Sequence, residues 1–125
     1  MITFRVNGIP IPQGSMKVIN GRVLHSQGSA LAGWRSLIGW EARLAGATPH
    51  SLPTKITITF FMPRPKTVKR AWPSVAPDLD KLIRAVLDGL TGVAYEDDGQ
   101  VVQIEAQKLY GASVGAEIRL ETLEI

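Results

Sequence analysis

The sequence predicts an α+β domain, a mixed β-sheet with two principal helices packed on it. Three observations predict it. Segments of apolar–polar alternation lie near both ends and in the middle of the chain, two segments of helical periodicity lie between them, and proline- and glycine-containing breaks separate them all. A chain of 125 residues is most simply one domain, spanning 1–125, with one sizeable core.

Ile2, Phe4 and Val6 alternate with Thr3, Arg5 and Asn7 as a half-buried strand does, and Pro10 and Pro12 end it. Asn20-Gly21 is a hairpin signal, since both residues accept the positive φ of a tight turn, so short strands are expected near 15–19 and 22–26. From Ser29 to Gly46, Leu31, Trp34, Ile38 and Ala45 share one helical face, widened by Leu37 and Leu44. Gly46 and Pro49 stop that helix. Lys55 to Met62 is a strand with Ile56, Ile58, Phe60 and Met62 on one face. Pro63 to Pro77 holds four prolines and reads as an extended loop. Leu79, Leu82, Ile83, Val86, Leu87 and Leu90 give the clearest amphipathic helix, which Gly92 can cap. Strands around 101–109 and 114–123 complete the sheet.

The chain has no cysteine, which excludes a disulfide framework, a thiolate zinc site and a cysteine nucleophile. No stretch has the length and apolarity of a transmembrane helix, and MITFRVNGIPIP does not read as a secretory signal, so a bacterial-type cytoplasm is expected. No Gly-x-x-x-x-Gly-Lys phosphate loop is present, which argues against nucleotide-driven chemistry. The net charge of +3 conceals a division: residues 1–77 hold ten Lys/Arg and one acid, and residues 78–125 hold four Lys/Arg and ten acids. A basic excess concentrates a polyanion, unless the two parts interleave in the fold and cancel.

Within the acidic part, Asp78 and Asp80 open the second helix, and Glu96, Asp97 and Asp98 follow it. Grouped carboxylates repel, so they need a compensating cation or free exposure to water. Each group also has a purely structural reading. Asp78 is a favoured N-cap, Asp80, Arg84 and Asp88 can form an i,i+4 charge ladder, and Asp98-Gly99 favours a turn. Taken together, a helix running out from Asp80 and a return over residues 92–98 can bring Asp97 or Asp98 back beside Asp78 and Asp80. Three carboxylates without histidine or cysteine suit Mg²⁺, or Mn²⁺, which would polarise a phosphodiester and offset charge on its leaving oxygen. Lys81 and Arg84 are the cations placed to stabilise such a transition state, and Arg84 cannot accept a proton.

The run PDLDKLIRAVLDGLTGVAYEDDGQV resembles the RusA family of Holliday junction resolvases. The family pattern of Asp-x-Asp-Asn-Leu-x-Lys, Leu-Asp-x-Leu and Asp-Asp-x-Gln-Val appears as Asp78-Leu79-Asp80-Lys81-Leu82-Ile83-Arg84, Leu87-Asp88-Gly89-Leu90 and Asp97-Asp98-Gly99-Gln100-Val101. The specific match covers about 25 residues, and residues 1–76 fit only loosely. The resemblance implies a homodimeric, Mg²⁺-dependent endonuclease of recombination and repair that cuts four-way DNA junctions, in a family common in phages and prophages. It implies metal binding by Asp78, Asp80 and Asp98, with Asp97 adjacent. The family's lysine falls at Arg84 and its asparagine at Lys81, a double departure that keeps the charge and changes its shape. Nucleases for other branched DNA, and a branched-DNA-binding protein that has lost catalysis, stay open alternatives.

Candidate DNA contacts lie in the proline-rich loop: Arg64, Lys66, Lys69 and Arg70 for phosphates and Trp72 for stacking on an exposed base. A solvated linker with Trp72 against the core is the competing reading. Lys17 and Arg22 flank the Asn20-Gly21 turn and extend the candidate surface. Trp34 reads as core and Trp40 as core or dimer contact. His25 and His50 are isolated and are assigned neither to a metal nor to catalysis.

Overall fold

In the computed structural model the described residues are 1–14 and 28–124, with residues 16–19 and 22–25 described as backbone. Strand β1 is Ile2–Asn7, and β2 (Met16–Ile19) pairs antiparallel with β3 (Arg22–His25). Helix α1 is Gly28–Leu44, β4 is Thr54–Met62 and α2 is Leu79–Leu90. A single 3₁₀ turn, Asp98–Gln100, leads into β5 (Val101–Tyr110), and β6 is Gly115–Thr122. The Asn20-Gly21 turn lies outside the described residues.

The main sheet has the order β1-β6-β4-β5. Its β1–β6 and β6–β4 pairs are antiparallel, whereas β4 and β5 run parallel, so α2 is the crossover between two neighbouring parallel strands. The sheet is therefore mixed, with two helices beside it, as the periodicity predicts.

One face of the sheet is dry. Phe4, Val6, Ile56, Ile58, Phe60, Met62, Ala116 and Ile118 pack with Leu31, Trp34 and Ile38 of α1 and Leu82, Val86 and Leu90 of α2. On the other face, Arg5 pairs with Glu117 at 3.0 Å and Lys55 with Glu105 at 3.3 Å. These two pairs join the basic and acidic parts of the sequence, so a small part of the charge division cancels across the sheet. Among the described residues, the basic side chains of the 63–77 loop take no part in that cancellation.

Helix α1 departs from expectation in which residues face inward. Leu31, Trp34, Ile38, Gly39 and Ala42 are buried, while Leu44 is 66 % exposed, Trp40 57 % and Leu37 37 %. Ala45 lies exposed just beyond the helix, so it extends no buried face. The burial follows an i, i+4 ridge narrowed by the close approach of α2: a Cβ on Gly39 would stand 3.1 Å from the Gly89 carbonyl oxygen, and one on Gly89 3.0 Å from that of Arg35. Two glycines facing each other let the backbones touch and leave Leu37 and Leu44 turned outward.

Candidate active site

The amphipathic pattern of α2 buries Leu82, Ala85, Val86 and Leu90 and leaves the opposite side of the helix to water. Asp78 occupies the N-cap in an extended conformation (φ −67°, ψ 139°), and its carbonyl accepts from the Lys81 and Leu82 amides, both at 3.2 Å. Its carboxylate makes no capping hydrogen bond. It lies instead 3.4 Å from Lys81 Nζ. The capping explanation of Asp78 therefore fails for its side chain, which is exposed beside the equally exposed Asp80.

The charge ladder does not form either. Asp88 pairs with Arg35 at 3.7 Å, and among the described residues Arg84 takes part in no ion pair. Arg84 is exposed one turn beyond Asp80. Two carboxylates and two cations thus share the first half of α2.

The second acidic group is organised differently. Asp97 Oδ1 accepts the Gly99 amide at 2.8 Å and caps the 3₁₀ turn. Gln100 Oε1 accepts the Glu96 amide at 3.0 Å and the Asp97 amide at 2.9 Å. Gln100 Nε2 donates to the His50 carbonyl at 2.7 Å and the Leu52 carbonyl at 3.1 Å. His50 Nδ1 accepts the Leu52 amide at 3.0 Å, which gives this histidine a local structural role. Asp98 is exposed, with its carboxylate outside the capping network.

Within one chain the two acidic groups do not converge, contrary to the expectation that residues 92–98 return Asp98 to Asp78. Asp80 opens α2, and Asp88 lies about 12 Å further along it at 1.5 Å per residue. Asp98 belongs to the Asp88 end. Both charges raise the pKa of the Tyr95 phenol, which is pushed up mainly by burial and against a lowering hydrogen bond with Thr91. At that same end Thr54 pairs with Val101. The loop into Asp78 meets the opposite end of β5, where Lys108 reaches it. Among the described residues no three acidic or histidine side chains come close enough to hold one metal ion. The physical reason is the parallel crossover: a chain that leaves along α2 must cross the full height of the sheet before β5 begins. Asp78 and Asp80 stand two positions apart at the start of α2 as exposed hard-oxygen donors, and Mg²⁺ often uses one or two carboxylates together with substrate phosphate oxygens. That pair fits such an ion; Asp97 is committed to its turn, and Asp98 stands apart.

The proline-rich loop enters directly into Asp78. Trp72 is 61 % exposed and so is not packed into the core. Lys66, Lys69 and Arg70 are exposed as well. Arg64 is exposed but engaged, donating to the Arg70 carbonyl and lying over the Tyr110 ring at 5.1 Å. Lys17 and Arg22 stand in β2 and β3, and their side chains lie outside the described residues.

Two residues outside the sequence-based site emerge here. Gln100 fastens the second acidic turn, and Lys108 fastens the exit of the basic loop through the Val75 and Pro77 carbonyls at 2.9 and 2.8 Å. The signal for Lys108 was available: it stands in the inward register of β5, beside Phe60, where the pattern calls for an apolar side chain.

Comparison with known proteins gives the chain its family. The chain is 24% identical over 136 residues to an uncharacterized protein, YqaN, of Bacillus subtilis (strain 168), across 95% of this chain and 94% of that one. It is 36% identical over 73 residues to a crossover junction endodeoxyribonuclease rusA of Lactococcus phage r1t, across 56% of this chain and 55% of the relative. The family model for endodeoxyribonuclease RusA matches residues 8–121, and the chain belongs to that family.

Proposed function

We propose that this protein is a Mg²⁺-dependent endonuclease that resolves four-way DNA junctions as a homodimer. One observation carries the reading. At the mouth of α2, Asp78 and Asp80 are exposed and unused by the helix, Lys81 is 3.4 Å from Asp78, and the preceding loop offers Lys66, Lys69, Arg70 and an exposed Trp72. The family and the phage relative, itself a crossover junction endodeoxyribonuclease, support the substrate.

In this reading Asp78 and Asp80 would hold the metal, with Mn²⁺ able to replace Mg²⁺. When bound, the ion polarises the scissile phosphodiester and neutralises charge on its oxygens. Loop lysines and arginines grip phosphates and set the strand in register, Trp72 stacks on a base exposed at the branch point, and Lys81 and Arg84 stabilise the charge that develops on the phosphate. Arg84 donates hydrogen bonds and charge but moves no proton.

In this reading Asp98 would enter the same site from another chain. A two-fold axis beside α2 exchanges the ends of the helix and would bring Asp98 of the partner subunit toward Asp78 and Asp80. A suitable surface exists there. Val102, 63 % exposed, and Ile104, 39 % exposed, lie on edge strand β5, which α2 contacts, and α2 carries the half-buried Ile83 and Leu87. Two cuts in a junction also match two sites related by two-fold symmetry.

The test is cleavage of a synthetic four-way junction, a flap, a fork and a linear duplex, with Mg²⁺ withheld and then restored. The junction is cut first and only with metal, and Asp78→Asn and Asp80→Asn each lower the rate by about 10²-fold or more while the chain stays folded. Equal cutting of linear duplex would remove the resolvase assignment, and preference for flaps or forks would redirect it. Salt-sensitive junction binding without cleavage, unaffected by Asp80→Asn, would identify a binding protein instead.

A further inference from the structure

Alternation along β5 places residues 104, 106, 108 and 110 on the side of the sheet that faces the helices, in register with buried Ile56, Ile58, Phe60 and Met62. Lys108 is the one charged residue in that row. An ammonium group there is costly unless hydrogen bonds replace its water. Lys108 Nζ donates to the Val75 carbonyl at 2.9 Å and the Pro77 carbonyl at 2.8 Å, using two of its three protons.

Those carbonyls belong to the last residues before Asp78. Within the 63–77 loop the backbone bonds among the described residues run from Val68 to Pro65 and from Ser74 to Trp72, and the Arg64 side chain donates to the Arg70 carbonyl; none of these holds residues 75–77. Four prolines remove further donors. The direction in which Asp78 leaves the loop is thus set from the sheet, by a side chain 30 positions further along the chain.

We propose that Lys108 is the positioning residue of the Asp78–Asp80 pair. Its ammonium pins the Val75 and Pro77 carbonyls, aims the Asp78 turn, and places a fixed positive charge on the sheet side of the carboxylates, with Lys81 and Arg84 on the helix side. The role deepens the nuclease reading and rests on it. Lys108 acts through the turn, by its bonds to the Val75 and Pro77 carbonyls.

The experiment compares Lys108→Met and Lys108→Arg with the parent, as full chains. Single-turnover cleavage of a four-way junction is followed across a Mg²⁺ titration, and junction affinity is measured separately in Ca²⁺. Lys108→Met is expected to slow cleavage by up to about 100-fold, the scale on which an ångström of misplacement acts. It also raises the Mg²⁺ concentration for half-maximal rate, with junction affinity close to that of the parent, and Lys108→Arg recovers most of the rate. A Lys108→Met chain that melts earlier but keeps the parent's rate and Mg²⁺ midpoint overturns the proposal. A second readout needs no activity: amide hydrogen exchange over residues 74–80, without metal, accelerates in Lys108→Met relative to the interior of α2. Unchanged exchange overturns the clamp even if the parent cuts junctions. Faster exchange in a parent that cuts nothing leaves the clamp standing and removes the nuclease.

Discussion

At the scale of single residues, neighbouring carboxylates divide into structural and free ones, and hydrogen bonds draw the line. Asp97 and Asp98 are adjacent in sequence and look equivalent there, yet only Asp97 accepts the Gly99 amide. Asparagine preserves that acceptor, so Asp97→Asn should keep nearly the parent's cleavage rate, whereas Asp97→Ala loses a cap worth about 1 kcal/mol in thermal or urea unfolding. Asp98→Asn, with no fold role to lose, should keep stability and lose cleavage. The opposite pattern would exchange their assignments. Tyr95 gives a second test. It is fully buried, and its hydroxyl donates to the Leu87 carbonyl at 2.6 Å. Burial pushes its pKa well above the ordinary 10.0, against the lowering hydrogen bond of Thr91 and with smaller additions from the charges of Asp98 and Asp88. The folded chain therefore holds this proton after the unfolded chain has released it. The associated stability is intact below the ordinary value of 10.0 and falls as pH rises past it. Tyr95→Phe should cost about 1 kcal/mol at neutral pH, since Thr91 still serves the Leu87 carbonyl, and should flatten the loss of stability above about pH 10. Parallel unfolding curves for both proteins across that range would refute the assignment.

At the scale of elements, α2, β1, β4 and β6 were legible because their burial follows the period of their sequence; the α1 face was not. Leu37 and Leu44 fit the apolar stripe by composition, but the Gly39–Gly89 crossing rotates the helix so that they face water. That rotation depends on a contact between segments 50 positions apart, which no local period encodes. The carboxylates obey the same limit. Chain lengths allowed a return from Asp80 to Asp98, but the choice of β4 as the parallel neighbour of β5 forbade it within one chain. Lys108 was legible as an anomaly of register, although its partners were not. The crossing itself is testable through a balance of two effects. Alanine normally stabilises a helix over glycine by about 1 kcal/mol. At Gly33, with nothing within 4 Å of the new Cβ, that gain should appear as a higher melting temperature. At Gly89 the new Cβ meets backbone at 3.0 Å, which cannot swing aside. Overpacking of about 1–3 kcal/mol then wins, and Gly89→Ala should lower stability in the same assay. Stabilisation at both positions would mean that the helices cross more loosely.

At the scale of the whole molecule, the proposed cleavage chemistry conflicts with the architecture of a single chain and would be met by a two-fold pair. The Asp78–Asp80 pair and the basic loop occupy one end of the sheet, and Asp98 occupies the other. In the proposed dimer an axis beside α2 would superpose unlike ends, put carboxylate donors from two chains together and repeat the arrangement once per strand to be cut. The apolar surface at β5 is the side that such an axis would cover, while the exposed Leu37, Trp40 and Leu44 of α1 lie on another element. Sedimentation equilibrium should therefore find a dimer that Val102→Glu or Ile104→Glu splits and Trp40→Glu leaves intact. Cooperation between chains can then be read directly. Asp80→Asn and Asp98→Asn proteins are each inactive, but when mixed and allowed to exchange subunits they form dimers with one complete site, formed by Asp80 of one chain and Asp98 of the other. The mixture should nick one strand of the junction without resolving it. If both carboxylates acted within one chain, each mixed dimer would carry one defect per site, and the mixture would stay as inactive as its parts.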